Sequence, residues 1–242
     1  MPVTVPGAVT QAVVLVGGKG QRLGELTSDT PKPLLDVGGR PFLAWVLQRL
    51  ASQGVERVVL TAGYRVEALH AWLSQASLDV EVKVFAEDVP LGTGGAFPAM
   101  TDRLDERFFV LNGDTLFDVS LRDLEAAAVG DGCAVALRRV EDTARYGSVE
   151  QEGNLVTSFA EKGSSGEGWI NGGVYLIRRD VVEGLPQPAS LERDLLPALV
   201  REERLFGVRS DGFFIDIGVP ETYEAAQTSV PAWWSAKNRP GA

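Results

Sequence analysis

Residues 12–33 read AVVLVGGKGQRLGELTSDTPKP. An apolar run rich in valine ends in a glycine-rich turn, then Arg22, and ten residues later Lys32 between Pro31 and Pro33. A short apolar run closed by glycines reads as a buried strand. Glycines let a backbone approach a ligand closely. Arg22 and Lys32 add two positive charges to the same loop, so the stretch suits a polyphosphate. Its details exclude the two commonest phosphate loops. A P-loop requires G-x-x-x-x-G-K-[ST]. Here Gly18-Lys19 is followed by Gly20, and the first glycine of that pattern falls on Val13. A dinucleotide fingerprint requires G-x-G-x-x-G. Gly18 and Gly20 fit, but the third glycine position is Leu23. Asp36 offers a downstream acid, yet it follows the Pro-Lys-Pro segment rather than ending a second strand. The plain alternative is a surface loop of an α/β protein.

Outward from this stretch, strand-like and helix-like segments alternate. Residues 9–16, 56–62, 80–86, 107–111 and 132–139 read as strands. Residues 41–53, 66–75 and 93–103 read as helices, and Ser120 caps another with Asp123 three residues on. The rhythm predicts an α/β protein with a Rossmann-like mixed, mostly parallel sheet sandwiched by helices. After about residue 140 the pattern changes. Residues 146–160 look like a hairpin turning at Glu152-Gly153-Asn154, and 169–177, 205–210 and 212–216 like strands. Ser190 caps a helix that Pro197 must kink or split, and Pro220 opens a final helix. We expect a single domain over residues 1–230, with a nucleotide half at about 9–140 and a substrate half at about 141–228. Residues 231–242, with Trp233-Trp234, are expected to be a frayed tail or a contact in a homo-oligomer.

Composition narrows the chemistry. The net charge of −10 argues against a general nucleic-acid surface. No run approaches a membrane span, and the N-terminus lacks a signal-peptide pattern. A single cysteine, Cys133, forbids an intrachain disulfide and suits the cytoplasm. The lone histidine, His70, reads as a solvated helix residue, which leaves the usual zinc sites and a Ser-His-Asp triad without ligands or base. Carboxylates, lysines and arginines remain.

Ligands in open parallel sheets bind at the carboxyl ends of strands. Four clusters fall at such ends: the glycine loop, Glu87-Asp88-Val89-Pro90-Leu91-Gly92-Thr93-Gly94-Gly95, Asn112-Gly113-Asp114, and Asp216 within FFIDIG. Asp114 and Asp216 are candidate Mg²⁺ ligands, since that ion takes one or two carboxylates plus phosphate oxygens. Asp114 reads equally as a turn residue, and Asp216 as an outward-facing strand residue. Glu161-Lys162 and Asn171-Gly172 supply polar groups for a sugar phosphate, with exposed loop positions as the alternative.

Taken together, GGKGQRL…PKP, PLGTGGA, LNGD, EK, NGG and FIDIG resemble, in order, the sugar-1-phosphate nucleotidyltransferases, from about Gln11 to Gln227. The resemblance implies Mg²⁺-dependent transfer of a nucleotidyl group from an NTP to a sugar 1-phosphate, with release of pyrophosphate. Carried over by position, it implies that Gly17, Gly18 and Gly20 turn around the triphosphate. It makes Arg22 and Lys32 the catalytic cations and puts Glu87, Gly92 and Thr93 near the base. Asp114 and Asp216 would hold Mg²⁺, and Gly147, Glu161, Lys162, Asn171 and Gly172 would line the sugar-phosphate side. Val16 and Gln21 depart mildly from the family's usual Ala and Thr. The late segments SLERDLLP and GFFIDIGVPETYEAAQ are most similar to the heptose-1-phosphate guanylyltransferase branch. Mannose-1-phosphate guanylyltransferases and glucose-1-phosphate thymidylyl- or uridylyltransferases stay open, and a guanine base is favoured by carboxylates at Glu87 or Asp88. A nucleotide-sugar sensor without activity is the competing non-enzyme reading; it would be expected to lack Lys32, Asp114 or Asp216. A nicotinamide oxidoreductase is disfavoured by Leu23.

Overall fold

A computed structural model describes residues 7–18, 20–144, 147–159 and 166–239. The apolar run is strand β1 (Gln11–Leu15). Two 3-10 turns, Gln21–Thr27 and Lys32–Leu34, carry the chain to a small ribbon of β2 (Asp36–Val37) and β3 (Arg40–Pro41). Helix α1 (Phe42–Ala51), β4 (Arg57–Ala62), α2 (Val66–Leu73), β5 (Glu81–Ala86), β6 (Arg107–Asn112), β7 (Thr115–Phe117), α3 (Leu121–Ala127) and β8 (Cys133–Val140) follow. Beyond them lie β9 (Val149–Glu152), β10 (Leu155–Phe159), β11 (Gly168–Arg178), α4 (Leu196–Arg201), β12 (Leu205–Ser210), β13 (Phe214–Asp216) and α5 (Pro220–Lys237).

Among the described residues nine strands form one mixed sheet in the order β5-β4-β1-β6-β11-β8-β12-β10-β9. β5, β4, β1 and β6 run parallel, as do β8 and β12. β11 is antiparallel to β6 and β8, and the β9–β10 hairpin closes the far edge. The central strands β1, β4, β6, β8 and β11 are largely buried on both faces, which is why they read as apolar runs without alternation. Ala12 and Val14 of β1 join one core cluster, with Phe42, Leu43 and Leu47 of α1. Val13 joins the opposite cluster, with Phe97, Phe108 and Tyr175. Cys133 is buried in that second cluster, and burial pushes its thiol up to about 11. His70 is exposed on α2.

Two helix expectations change. Residues 93–103 are not an α-helix: they hold 3-10 turns at Phe97–Arg103, broken at Met100. The amide of Gly94 is bonded instead to Ala189 O at 2.9 Å, and Pro98 has no amide to contribute. The 231–242 tail is not frayed over its described part, because α5 continues through Pro231 to Lys237. Trp233 stacks on Phe213 with ring centroids 5.0 Å apart, and Trp234 meets Trp45 edge-on at 6.2 Å. Lys237 Nζ donates to both oxygens of Asp118, at 2.6 and 2.8 Å. The anchoring is aromatic and ionic rather than a regular apolar stripe, so periodicity did not reveal it. The helix after Ser190 is split as Pro197 requires: a π-helical turn at Leu191–Leu195 passes into α4, with Ser190 Oγ accepting from Arg193 N at 3.2 Å.

Candidate active site

The parallel strands end together on one side of the sheet, and the loops after β1, β4, β5 and β6 surround a cavity of ≈ 760 Å³. Gly17, Gly18, Gly20, Arg22, Lys32, Glu87, Gly92, Thr93 and Asp114, all read from the sequence as nucleotide-binding, line it. Gly218, just after β13, completes the wall.

The glycine loop is held from within. Gly20 has φ +63°, and a methyl built on it would fall 2.9 Å from Cγ2 of Thr27. Only glycine takes that backbone without strain. Thr27 Oγ1 donates to the carbonyls of Gly20 (3.1 Å) and Gly24 (3.2 Å), pinning the turn that presents Arg22 to the cavity. Arg22 is exposed there, and its Nη2 lies 3.5 Å from where a Gly218 methyl would stand.

Lys32 and Asp114 are brought into direct contact, with Nζ 2.5 Å from Oδ2. Gly113 makes this possible: its amide donates to Leu15 O at 2.9 Å, so the Asn-Gly-Asp loop folds against the end of β1. Asp216 arrives from the other direction. β13 pairs with β7 so that Asp216 faces Thr115, and the Ile217 amide donates to Asp114 O at 2.9 Å. Asp216 Oδ1 accepts from the Gly218 amide at 2.5 Å. The two carboxylates therefore belong to neighbouring positions of one two-stranded ribbon. No group of three His, Cys, Asp or Glu side chains able to hold a metal occurs among the described residues. A pair of carboxylates fits a cation that completes its shell with phosphate oxygens and water.

The loop after β5 is docked onto a distant segment. Glu87 Oε2 accepts from the Leu91 amide at 3.0 Å, curling the loop over itself. Gly92 has φ +79°, and a methyl there would lie 2.3 Å from Ala189 O. Thr93 Oγ1 donates to Glu192 Oε2 and accepts from the Leu191 amide, both at 2.9 Å. Glu192 thus enters the cavity wall from 99 residues away.

Within β11, Asn171 Oδ1 accepts from the Gly173 amide at 2.9 Å, and its Nδ2 donates to Tyr175 Oη at 2.8 Å. Burial pushes the Tyr175 phenol up, and the charges of Glu192 and Asp114 add to it against the hydrogen bond from Asn171. The Asn-Gly-Gly run sits where the β11–β8 register shifts, between Asn171 and Tyr175. Gly172 is buried, and a methyl on it would meet Cε1 of Phe117 at 2.5 Å. Gly147 is buried too, its amide bonded to Thr143 O at 2.9 Å. Gly147, Asn171, Gly172 and Asp216 do not line the cavity itself. Glu161 and Lys162 lie outside the described residues. Gln21 and Asn112, within two of the clusters read from sequence, also line the cavity, as do Tyr64 and Glu192, which sequence reasoning missed as site residues. Tyr64 follows β4, so the strand-end rule could have found it; Glu192 carries no local signal.

Comparison with known proteins agrees with this geometry. The family described as nucleotidyl transferase matches residues 11–232. A D-glycero-alpha-D-manno-heptose 1-phosphate guanylyltransferase of Aneurinibacillus thermoaerophilus is 36% identical over 222 residues, covering 90% of this chain and 96% of that protein. A mannose-1-phosphate guanyltransferase of Schizosaccharomyces pombe is 34% identical, covering 88% of this chain but 62% of that protein. The crystal structure of HddC from Yersinia pseudotuberculosis complexed with GMP-PN superposes with a TM-score of 0.80 at 31% identity, covering 90% of this chain and 98% of that one.

Proposed function

The chain belongs to the nucleotidyl transferase family, and we propose that it transfers a guanylyl group from GTP to D-glycero-α-D-manno-heptose 1-phosphate, yielding GDP-heptose and pyrophosphate. One observation carries the reading: the Arg22–Lys32 loop and Asp114, far apart in sequence, meet in one cavity at the carboxyl ends of the parallel strands. The relative named as a heptose 1-phosphate guanylyltransferase, matched along nearly its whole length, and the relative complexed with GMP-PN support the choice of substrates.

In this reading a phosphate oxygen of the sugar 1-phosphate attacks the α-phosphorus of GTP. The bond from that phosphorus to the β-phosphate bridging oxygen breaks, and its electron pair leaves with pyrophosphate. The attacking oxygen is already anionic, so no general base is needed, in keeping with a site whose described lining holds no histidine. Positioning and charge stabilisation do the work. Arg22 neutralises the departing pyrophosphate, and Lys32 holds phosphate oxygens at the reacting centre. Glu87, Gly92 and Thr93 shape the base side. Gly147, Glu161, Lys162, Asn171 and Gly172 serve the sugar phosphate, Gly147 and Gly172 by fixing backbone. Asp114 and Asp216 would hold Mg²⁺, which when bound neutralises charge on the transferring phosphate.

The two halves act as one domain in this reading, on small molecules in the cytoplasm. No helix among the described residues is long and apolar enough to cross a membrane. A second acceptor, mannose 1-phosphate, is favoured by the 34% identical fungal relative. The test is a matrix of GTP, ATP, CTP, UTP and dTTP against heptose, mannose and glucose 1-phosphates, scored by pyrophosphate release. GTP with the heptose is expected to react fastest. Faster turnover with mannose 1-phosphate would move the assignment to that acceptor, and silence in every pair would leave a nucleotide-sugar sensor.

A further inference from the structure

Building on that reading, we infer that Lys32 is also a positioning residue for the metal site: in the nucleotide-free protein its ammonium occupies Asp114 and must leave before a divalent cation binds there. Nζ of Lys32 sits 2.5 Å from Oδ2 of Asp114, with the two side chains only 12% and 26% exposed. The other oxygen, Oδ1, accepts from Thr115 Oγ1 at 3.3 Å. Both oxygens of the best-placed candidate ligand are therefore engaged before any cation arrives.

The backbone that delivers Lys32 is fixed. Lys32 lies between Pro31 and Pro33, and the Leu34 and Leu35 amides close 3-10 turns on Pro31 O (2.8 Å) and Lys32 O (3.1 Å). Only the four-carbon stem can move the charge. An ammonium and a divalent cation on the same carboxylate oxygen would be separated by little more than their contact distances, and like charges that close repel strongly in a partly buried site. The β13–β7 pairing brings Asp216 alongside as a second carboxylate, and no cluster of three acids among the described residues offsets that repulsion. A triphosphate supplies what the free protein lacks. It offers Lys32 other oxygens to hold and offers the cation the remainder of its shell. Nucleotide and cation thus enter together, and the free protein is kept from loading the cation alone.

Direct Mn²⁺ binding to the nucleotide-free, full-length protein tests this, read by the loss of the free Mn²⁺ electron paramagnetic resonance signal. Wild type is expected to bind weakly. Lys32→Met, which keeps the stem and removes the charge, is expected to bind roughly tenfold more tightly or better. The gain is expected to vanish in Lys32→Met/Asp114→Asn, because it depends on the Asp114 oxygen. Lys32→Gln serves as a second variant if the methionine lowers the melting temperature. A variant affinity equal to or weaker than that of wild type overturns the inference, as does a gain that survives Asp114→Asn. This failure is separate from failure of the proposed function: wild type that transfers no nucleotidyl group refutes that reading, whereas active wild type without the Lys32→Met gain refutes only this one.

Discussion

Gly113→Ala is the sharpest local perturbation of the site. A methyl at Gly113 would fall 2.5 Å from the carbonyl oxygen of Leu15 and 2.7 Å from Cγ1 of Val16. The first of these is backbone at the end of the central strand β1, so it cannot step aside as a side-chain tip does. Ordinary contact requires the Asn112–Asp114 loop to retreat by about 1 Å, and a displacement of that size at a reacting centre costs roughly 10²-fold in rate. It would stretch the Gly113 amide bond to Leu15 and drag Asp114 away from Lys32. Overpacking of this kind costs about 1–3 kcal/mol of stability, and about 2–4 °C of melting temperature per kcal/mol in a chain of this size. Differential scanning calorimetry and pyrophosphate release on the same preparation separate the two effects. A folded variant with kcat/KM down roughly 100-fold is expected. A variant within about threefold of wild type would show that the position of this loop does not set the reaction geometry.

Asp114→Asn and Asp216→Ala should each reduce metal-dependent turnover by at least about 10²-fold, and near-normal pyrophosphate release from both would remove the metal assignment. Lys162→Ala is expected to raise KM for the sugar 1-phosphate about tenfold with kcat nearly kept; an unchanged KM contradicts its placement. Deleting residues 231–242 should destabilise the protein by at least about 2 kcal/mol in urea unfolding, because Trp233 and Trp234 leave Phe213 and Trp45; an unchanged midpoint would mean the terminal turns of α5 contribute nothing. For Asp118, burial raises the carboxyl, but Lys237, Arg49 and Trp233 together outweigh it and hold the group below the usual range. A depressed carboxyl stabilises above its unfolded value and loses that contribution as pH falls through the folded one. Lys237→Met should therefore cost about 1 kcal/mol near pH 7, with the gap from wild type closing at acid pH; a constant gap would refute the ionic account.

What could be read from sequence was what local chemistry dictates. The glycine loop and Asp114 each follow an apolar strand, Lys32 stands out between two prolines, and the parallel sheet brings strand ends together. The capping serines Ser120 and Ser190 were legible for the same reason, since each bonds an amide three residues on. Three features were not legible, because each depends on a partner remote in the chain. The Thr93–Glu192 bond, the Lys32–Asp114 pair and the seating of Trp233 on Phe213 span 99, 82 and 20 residues. The Gly94-Gly95 stretch shows the cost of reading locally: helix-like composition in 93–103 lost to docking of the loop on Ala189. Asn171-Gly172 was legible as a motif but not as geometry, since Gly172 is spent on packing against Phe117 and Asn171 on holding Gly173 and Tyr175.

The central claim is transfer of the α-phosphoryl group with its nucleoside to a sugar 1-phosphate. Incubating the purified protein with Mg²⁺, D-glycero-α-D-manno-heptose 1-phosphate and GTP labelled at the α-phosphorus follows that atom directly. The account requires the label to appear in a heptose-linked GDP product, with unlabelled pyrophosphate released in equal amount. Label that remains in GTP, or that appears in GDP or GMP without a sugar attached, would contradict it.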